Sequence, residues 1–165
     1  MAATLARALY VDEREVRLIR RAAPLHDIGK VGIPDDILLK PGRLTAEERL
    51  IMEGHAAIGA RILSGSRFRV LQLAEVVALR HHERWDGSGY PEGVAGDRIP
   101  LPARIAAVID VYDALTHARP YKEAWTTQAA AAEIGRQSEK QFDPWVVETF
   151  VELLAKGSFS DLFAV

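Results

Sequence analysis

The apolar residues of this chain recur every three or four positions almost throughout, and that period decides the class of fold open to it. Val16, Ile19 and Ala23, or Val70, Leu73, Ala74 and Val77, share one side of a helix but would be split between the two faces of a strand. Outside the loops Ala, Leu, Arg and Glu are the commonest residues, and all favour helix. The expected class is all-α. A chain of 165 residues that is 48% hydrophobic can bury one core, so one domain is expected. A net charge of −2 offers no general attraction for a nucleic acid polymer, which favours a small ligand. Cysteine is absent, so any metal must be held by His, Asp and Glu. No apolar run approaches the roughly 20 residues of a membrane span, and no signal pattern opens the chain. These features point to a cytoplasmic protein without a membrane partner.

Start and stop signals divide the chain. Asp12 and Glu15 have the spacing of a capping box for a helix running to about Asp27, kinked at Pro24. A Gly- and Pro-punctuated segment spans 29–42. Thr45 and Glu48 then cap a helix expected to reach Ser64. A further helix covers about 68–83, and residues 84–100, with four Gly and two Pro, form a long loop of the kind that carries function. Helices are expected over about 102–117 and 127–139. Asp143 before Pro144 marks another start.

Histidine placement is the informative feature, because three of the five histidines continue an apolar stripe. His26 follows Val16, Ile19 and Ala23; His55 sits among Ile51, Ile58 and Ile62; His81 follows Val77. A lone inward histidine is more often a core residue bonded to a carbonyl than a ligand. Three in one small domain need partners together, and a shared metal ion satisfies several. Asp27 adjoins His26, and neighbours on a helix diverge by about 100°, so the two can meet one metal only at a helix irregularity such as Pro24 provides. His81 and His82 should diverge for the same reason, which suits a cluster of two or more ions. Asp110 lies in an otherwise apolar run and reads equally as a ligand or as part of a solvated face with Asp113 and His117. Trp85 reads as a core anchor for the loop. Arg119 and Lys122 alone read more readily as a solvated surface pair.

His26-Asp27-Ile28-Gly29-Lys30 resembles the HD motif with its trailing lysine, and the run from His81-His82-Glu83 through Asp86-Gly87 to Gly89-Tyr90-Pro91 resembles the signature of HD-GYP domains. Arg119-Pro120-Tyr121-Lys122 and Gln141-Phe142-Asp143-Pro144 are similar to two further family stretches in the same order. The resemblance implies an HD-domain helical bundle with additional C-terminal helices and a long GYP loop, spanning 1–157, with 158–165 as a tail. It also implies a phosphodiesterase that hydrolyses cyclic di-GMP to pGpG or GMP with two or three divalent ions, iron or manganese.

Carried over residue by residue, the metal ligands would be His26, Asp27, His55, His81, His82 and Asp110, with Asp27 bridging. A water activated by the ions would be the nucleophile, and Asp27 and Lys30 would serve the chemistry, Lys30 at the scissile phosphate. Gly89, Tyr90, Asp113, Arg119 and Lys122 would bind substrate, with Gly87 and Gly89 letting the loop lie against it. Family members carry one more histidine on the first core helix, and trinuclear ones a glutamate, at positions that would precede Met1, so that helix is expected to be incomplete here. His117 and Ala118 depart from small acidic residues common in the family. An upstream receiver or sensor domain and a homodimer are the implied partners. A non-catalytic nucleotide-binding or interaction module is the competing reading, because of that missing ligand, and a hybrid cyclic dinucleotide is a lesser alternative substrate.

Overall fold

Side-chain caps start the helices where the sequence places them. Asp12 accepts from the backbone N–H of Arg14 and Glu15 at 2.9 and 3.1 Å, Thr45 and Glu48 form a complete capping box, and Asp143 accepts from the N–H of Trp145 at 2.8 Å. The structure is a computed structural model and describes residues 1–118 and 123–159. In chain order it contains α1 (Ala2–Ala8), α2 (Glu13–Ala22), α3 (Asp35–Leu38), α4 (Ala46–Glu53), α5 (His55–Leu63), α6 (Arg69–Arg80), α7 (Leu101–Thr116), α8 (Thr127–Arg136) and α9 (Pro144–Ala155). Tighter 3₁₀ turns occupy Ala23–Leu25, Ile28–Gly32 and Gly96–Arg98. Among the described residues there is no strand, only an isolated bridge between Ser138 and Phe142. The all-α class holds.

Three local expectations are corrected. The helix after Asp12 stops at Ala22 instead of bending onward to Asp27, because the chain tightens into a 3₁₀ turn at Pro24. Its capping box is half formed: the Glu15 carboxylate lies 3.4 Å from Arg69 on α6. The segment from Thr45 to Ser64 is two helices broken at Gly54, not one. That break reorients the expected stripe, so Ile51 and Ile62 are exposed while His55, Ala56, Gly59, Ala60 and Leu63 are buried.

Two apolar clusters flank the break between α2 and the 3₁₀ turns. The larger joins α1, α2, α7, α8 and α9 through Leu5, Ile19, Ile105, Ile134 and Phe150, all buried. Each such side chain contributes roughly 1.5–3 kcal/mol of burial. Phe159 also packs into this cluster, its ring 5.6 Å from that of Phe150, so the packed unit reaches past the boundary expected at residue 157. The smaller cluster, Ala22, Leu63, Ala74 and Ala78, brings α2, α5 and α6 together through small side chains. Closest of all is the crossing of the Ile28–Gly32 turn over α5, where a Cβ on Gly29 would lie 1.9 Å from the His55 carbonyl oxygen and 2.4 Å from the Gly59 nitrogen. Only glycine fits there. The crossing fixes Asp27 and Lys30 against the start of α5.

Residues 84–100 form the expected long loop, and its start is anchored to the turn before α9. The backbone N–H groups of Trp85 and Asp86 donate to the carbonyls of Gln141 and Lys140 at 3.2 and 2.9 Å. Trp85 is half-buried, with the Arg104 guanidinium 5.6 Å from its ring. Arg104 in turn contacts Asp143 at 2.6 Å, tying the loop to α7 and α9.

Candidate metal centre

Three backbone carbonyls orient three imidazoles. Nδ1 of His26 lies 2.9 Å from the Ala23 carbonyl, Nδ1 of His55 lies 2.7 Å from that of Met52, and Nδ1 of His81 lies 3.0 Å from that of Ala78. A carbonyl can only accept, so each Nδ1 is the protonated nitrogen and each Nε2 is left to face the site. Local chain geometry makes this possible: His26 caps the 3₁₀ turn, His55 begins α5 after the Gly54 break, and His81 closes α6.

The Nε2 atoms converge on Asp27. Its Oδ1 lies 3.4 Å from Nε2 of His55 and 3.8 Å from Nε2 of His81. Its Oδ2 lies 3.4 Å from Nε2 of His26 and accepts from Lys30 Nζ at 2.5 Å. Asp110 Oδ1 stands 3.5 Å from Nε2 of His26. Two ligand groups result, Asp27 with His55, His81 and His82, and His26 with Asp27 and Asp110, the atoms of each within 4.8 Å of one another. One carboxylate belongs to both, through different oxygens. His82 joins the first group beside His81, their rings 3.9 Å apart, contrary to the expectation that the pair diverges. The reason is that α6 ends at Arg80, so His82 lies beyond the helix and folds back.

The electrostatics follow from this crowding. Burial first, then the neighbouring His26 and His55, lower the His81 pKa to about 4; burial, His81 and His55 lower that of His82 to about 3. His26 behaves oppositely: burial disfavours its charged form, but Asp110 and Asp27 outweigh that and push it up to about 10. Against the pull of burial, His26 and Lys30 hold Asp27 well below the carboxylate range, and His26 lowers Asp110. The metal-free site thus has ionised carboxylates and unprotonated His81 and His82, states that coordinate cations, while His26 is held in its charged form by the two carboxylates.

The residues fit metal ions. Nε2 of His26 is buried without a hydrogen-bond partner, its carboxylate neighbours being too distant for good hydrogen bonds. Nε2 of His55 and Nε2 of His81 face each other at 3.4 Å, nitrogen to nitrogen. A cation satisfies all three atoms. A mixed imidazole and carboxylate set without thiolate suits divalent iron, manganese or zinc.

The residues expected to bind substrate separate into two places. Tyr90 stacks on His82 at 4.8 Å and 27°, and lines a cavity of about 350 Å³ with Gly89, His81 and His82. Burial and then Glu53 raise the Tyr90 pKa, so its hydroxyl stays protonated. Gly89 is also demanded by packing, since a Cβ there would meet the Arg84 nitrogen at 2.4 Å and the His82 carbonyl oxygen at 2.6 Å. Asp113 is exposed and lines a different cavity of about 610 Å³, beside His26 and Asp110. Arg119 and Lys122 lie outside the described residues. Glu83 is a residue that sequence reasoning passed over. Buried, it accepts from the N–H groups of Glu92 and Val94, each at 3.0 Å, and from Arg80 at 3.2 Å. It binds the loop to α6 directly behind the histidine pair, and its place in the helix-end motif was the only signal.

Comparison with known proteins agrees with this geometry. Residues 1–146 match the family model described as an HD domain. The chain is 54% identical over 151 residues to the cyclic di-GMP phosphodiesterase response regulator RpfG of Xanthomonas campestris, covering 92% of this chain and 40% of that protein. It is 52% identical over 149 residues to a cyclic di-GMP phosphodiesterase of Thermotoga maritima, covering 90% and 40%. It is 47% identical over 148 residues to 3'3'-cGAMP-specific phosphodiesterase 2 of Vibrio cholerae, covering 90% and 28%. The chain therefore spans less than half the length of these curated relatives. A crystal structure of a cyclic GMP-AMP specific phosphodiesterase of V. cholerae shares the fold, with a TM-score of 0.74 at 21% identity over 99% of this chain and 44% of that one. On the motif set around Asp27 and the match over residues 1–146, the chain belongs to the HD domain family, in its HD-GYP form.

Proposed function

We propose that this protein is a metal-dependent phosphodiesterase acting on a cyclic dinucleotide, with cyclic di-GMP as the leading substrate and pGpG or GMP as product. The observation that carries the reading is the division of Asp27, whose two oxygens face two separate imidazole groups. That arrangement suits a bridged pair of ions, iron or manganese, held by His26, Asp27, His55, His81, His82 and Asp110. Ions bound there supply Lewis acidity towards phosphoryl oxygens and lower the pKa of water. The chain's own residues do the rest. The carbonyl-anchored imidazoles fix the positions of the donors, and burial keeps His81 and His82 unprotonated. Lys30, beside Asp27 and partly exposed, can donate to a phosphoryl oxygen as charge develops. Tyr90 offers a face for a base; Asp113, Arg119 and Lys122 complete the substrate contacts.

The relatives named as phosphodiesterases of cyclic di-GMP and of 3'3'-cGAMP support the substrate class. A binding-only module has no use for an orphaned Nε2 on His26 and two ring nitrogens pressed together at 3.4 Å, which lower stability. The name of the response-regulator relative supports an upstream receiver or sensor domain as a partner, and we include a homodimer in the same reading. Among the described residues no helix is long and apolar enough to cross a membrane; with no cysteine to staple, we place the protein in the cytoplasm. The test is anaerobic loading with Fe(II) or Mn(II), of this chain and of the domain in its full-length context, followed by chromatography of cyclic di-GMP. Conversion to pGpG or GMP is expected. An unchanged substrate peak with metal measurably bound rules the reading out.

A further inference from the structure

The cavity of about 350 Å³ beside His82 has a second wall that the metal chemistry does not use. That wall is the last turn of α4, where Arg49 and Glu53 stand one helical turn apart, joined from Nε to Oε1 at 2.9 Å. The pair is unequal in exposure. The Arg49 side chain is 73% exposed and that of Glu53 is 23%, so the carboxylate sits in the cavity and the guanidinium caps its mouth. Among the described residues, Glu53 Oε2 accepts no hydrogen bond and the two terminal nitrogens of Arg49 donate none. The backbone that carries Glu53 is held on both sides, by the Met52 carbonyl bonded to His55 and by the helix end at Gly54. The Tyr90 ring, stacked on His82, lines the same cavity, together with Ser88 and Gln141.

An aromatic face in the same cavity as an acceptor and a donor paired to each other is a site for a flat heterocycle with polar edges. The order of those groups selects which one. Guanine presents donors at N1 and N2 and acceptors at O6 and N7, so a carboxylate can take the first pair and a guanidinium the second. Adenine presents a lone pair at N1, which a carboxylate repels. We propose that Glu53 and Arg49 form a guanine-reading subsite, which places one base of the substrate on Tyr90 while its phosphodiester lies at the Asp27 cluster. The inference rests on the cyclic dinucleotide reading for its substrate, and it adds the residues that choose between guanine and adenine. His82 lines both the cavity and the ligand group, so base and phosphate would be neighbours.

The experiment is calorimetric titration of the metal-loaded protein with GMP and with AMP, in wild type and in Glu53→Gln and Arg49→Ala variants. The two mononucleotides share their phosphate, so their affinity ratio isolates the base. Wild type should favour GMP by about tenfold or more, and Glu53→Gln, which turns one acceptor into a donor, should reduce that ratio by about tenfold. Arg49→Ala should reduce it too. Both side chains project from a surface helix without a buried residue, and far-UV circular dichroism with metal content verifies the fold of each variant. Equal affinity of wild type for the two nucleotides, no measurable binding of GMP, or a ratio left unchanged by Glu53→Gln each overturns the proposal. A parallel loss of both affinities also overturns it, because it marks Glu53 as a structural support. If cyclic di-GMP survives intact while the GMP preference and its loss in Glu53→Gln hold, the phosphodiesterase reading fails and the subsite stands.

Discussion

Nε2 of His55 and Nε2 of His81 face each other at 3.4 Å, and the Nδ1 of each is committed to a backbone carbonyl, so two ring nitrogens are pressed together across the site. The nearest carboxylate, Asp27, stands 3.4 and 3.8 Å from the two nitrogens and is itself an acceptor. Removing metal should therefore leave a strained pocket, and restoring it should stabilise the fold by mass action. At about a hundredfold excess over Kd the gain is about 2.7 kcal/mol, or roughly 5–10 °C in Tm for a domain of this size. Thermal melts in chelator and in excess Mn(II) check this. A His55→Ala or His81→Ala variant should melt close to wild type without metal and respond little to its addition.

Metal binding should release a proton from His26 and none from His81 or His82. In the metal-free protein the His26 pKa stands at about 10, above its unfolded value near 6.5, so at pH 8 it is charged and must lose its proton to coordinate. His81 and His82, lowered to about 4 and 3, have none to lose. The stability linkage has the matching sign. A raised folded pKa makes the His26 contribution fully present below pH 6.5 and lost as pH rises towards 10, whereas His81 and His82 withdraw stability as pH falls below 6.5. Calorimetry in buffers of different ionisation enthalpy at pH 8 should report close to one proton released per loaded site, and His26→Ala should abolish it.

Gly29→Ala should be among the most damaging single-atom changes in the domain. Its Cβ would fall 1.9 Å from the His55 carbonyl and 2.4 Å from the Gly59 nitrogen, both backbone atoms of α5 that cannot rotate away. Separation of the turn from α5 would carry Asp27 away from His55. We expect a loss of roughly 3 kcal/mol or more together with loss of metal binding. Gly59→Ala meets its neighbours at 3.2–3.5 Å and should lose only about 1 kcal/mol. Urea denaturation of the two variants gives the comparison.

How far the sequence reaches is clearest at individual ligands. The stripe argument places His81 correctly, since Ala74 and Val77 are buried beneath it. It also finds His55, but through the wrong partners. Ile51 and Ile62 are exposed, and His55 is buried because the chain breaks at Gly54 and the Gly29 crossing presses on α5. Periodicity sees neither a helix break nor a long-range backbone contact. Asp110, balanced on sequence between ligand and solvated face, stands 3.5 Å from His26. Asp113, three residues on, is exposed on α7. Local pattern could not separate them, because what distinguishes them is the end of the 3₁₀ turn that delivers His26. Glu83 was invisible as a loop clamp for the same reason: its partners, Glu92 and Val94, are distant in sequence.

Lys30 is the side chain whose role mutation can best separate from the ligands. It touches Asp27 Oδ2 at 2.5 Å, yet it is a donor and can take no metal. If it serves the phosphoryl group, Lys30→Ala should keep its full metal content while kcat falls by roughly a hundredfold. If it only steadies Asp27, loss of Nζ should loosen the carboxylate, and activity should fall in proportion to metal content. Stoichiometric metal analysis beside steady-state turnover of cyclic di-GMP decides between them. Lys30→Arg sharpens the distinction, because it keeps a donor near Oδ2 but replaces a compact ammonium with a planar fork that must meet the phosphate in a different geometry. Metal content at wild-type level with turnover still depressed in Lys30→Arg would fix the position of Nζ, and not merely its charge, as the requirement.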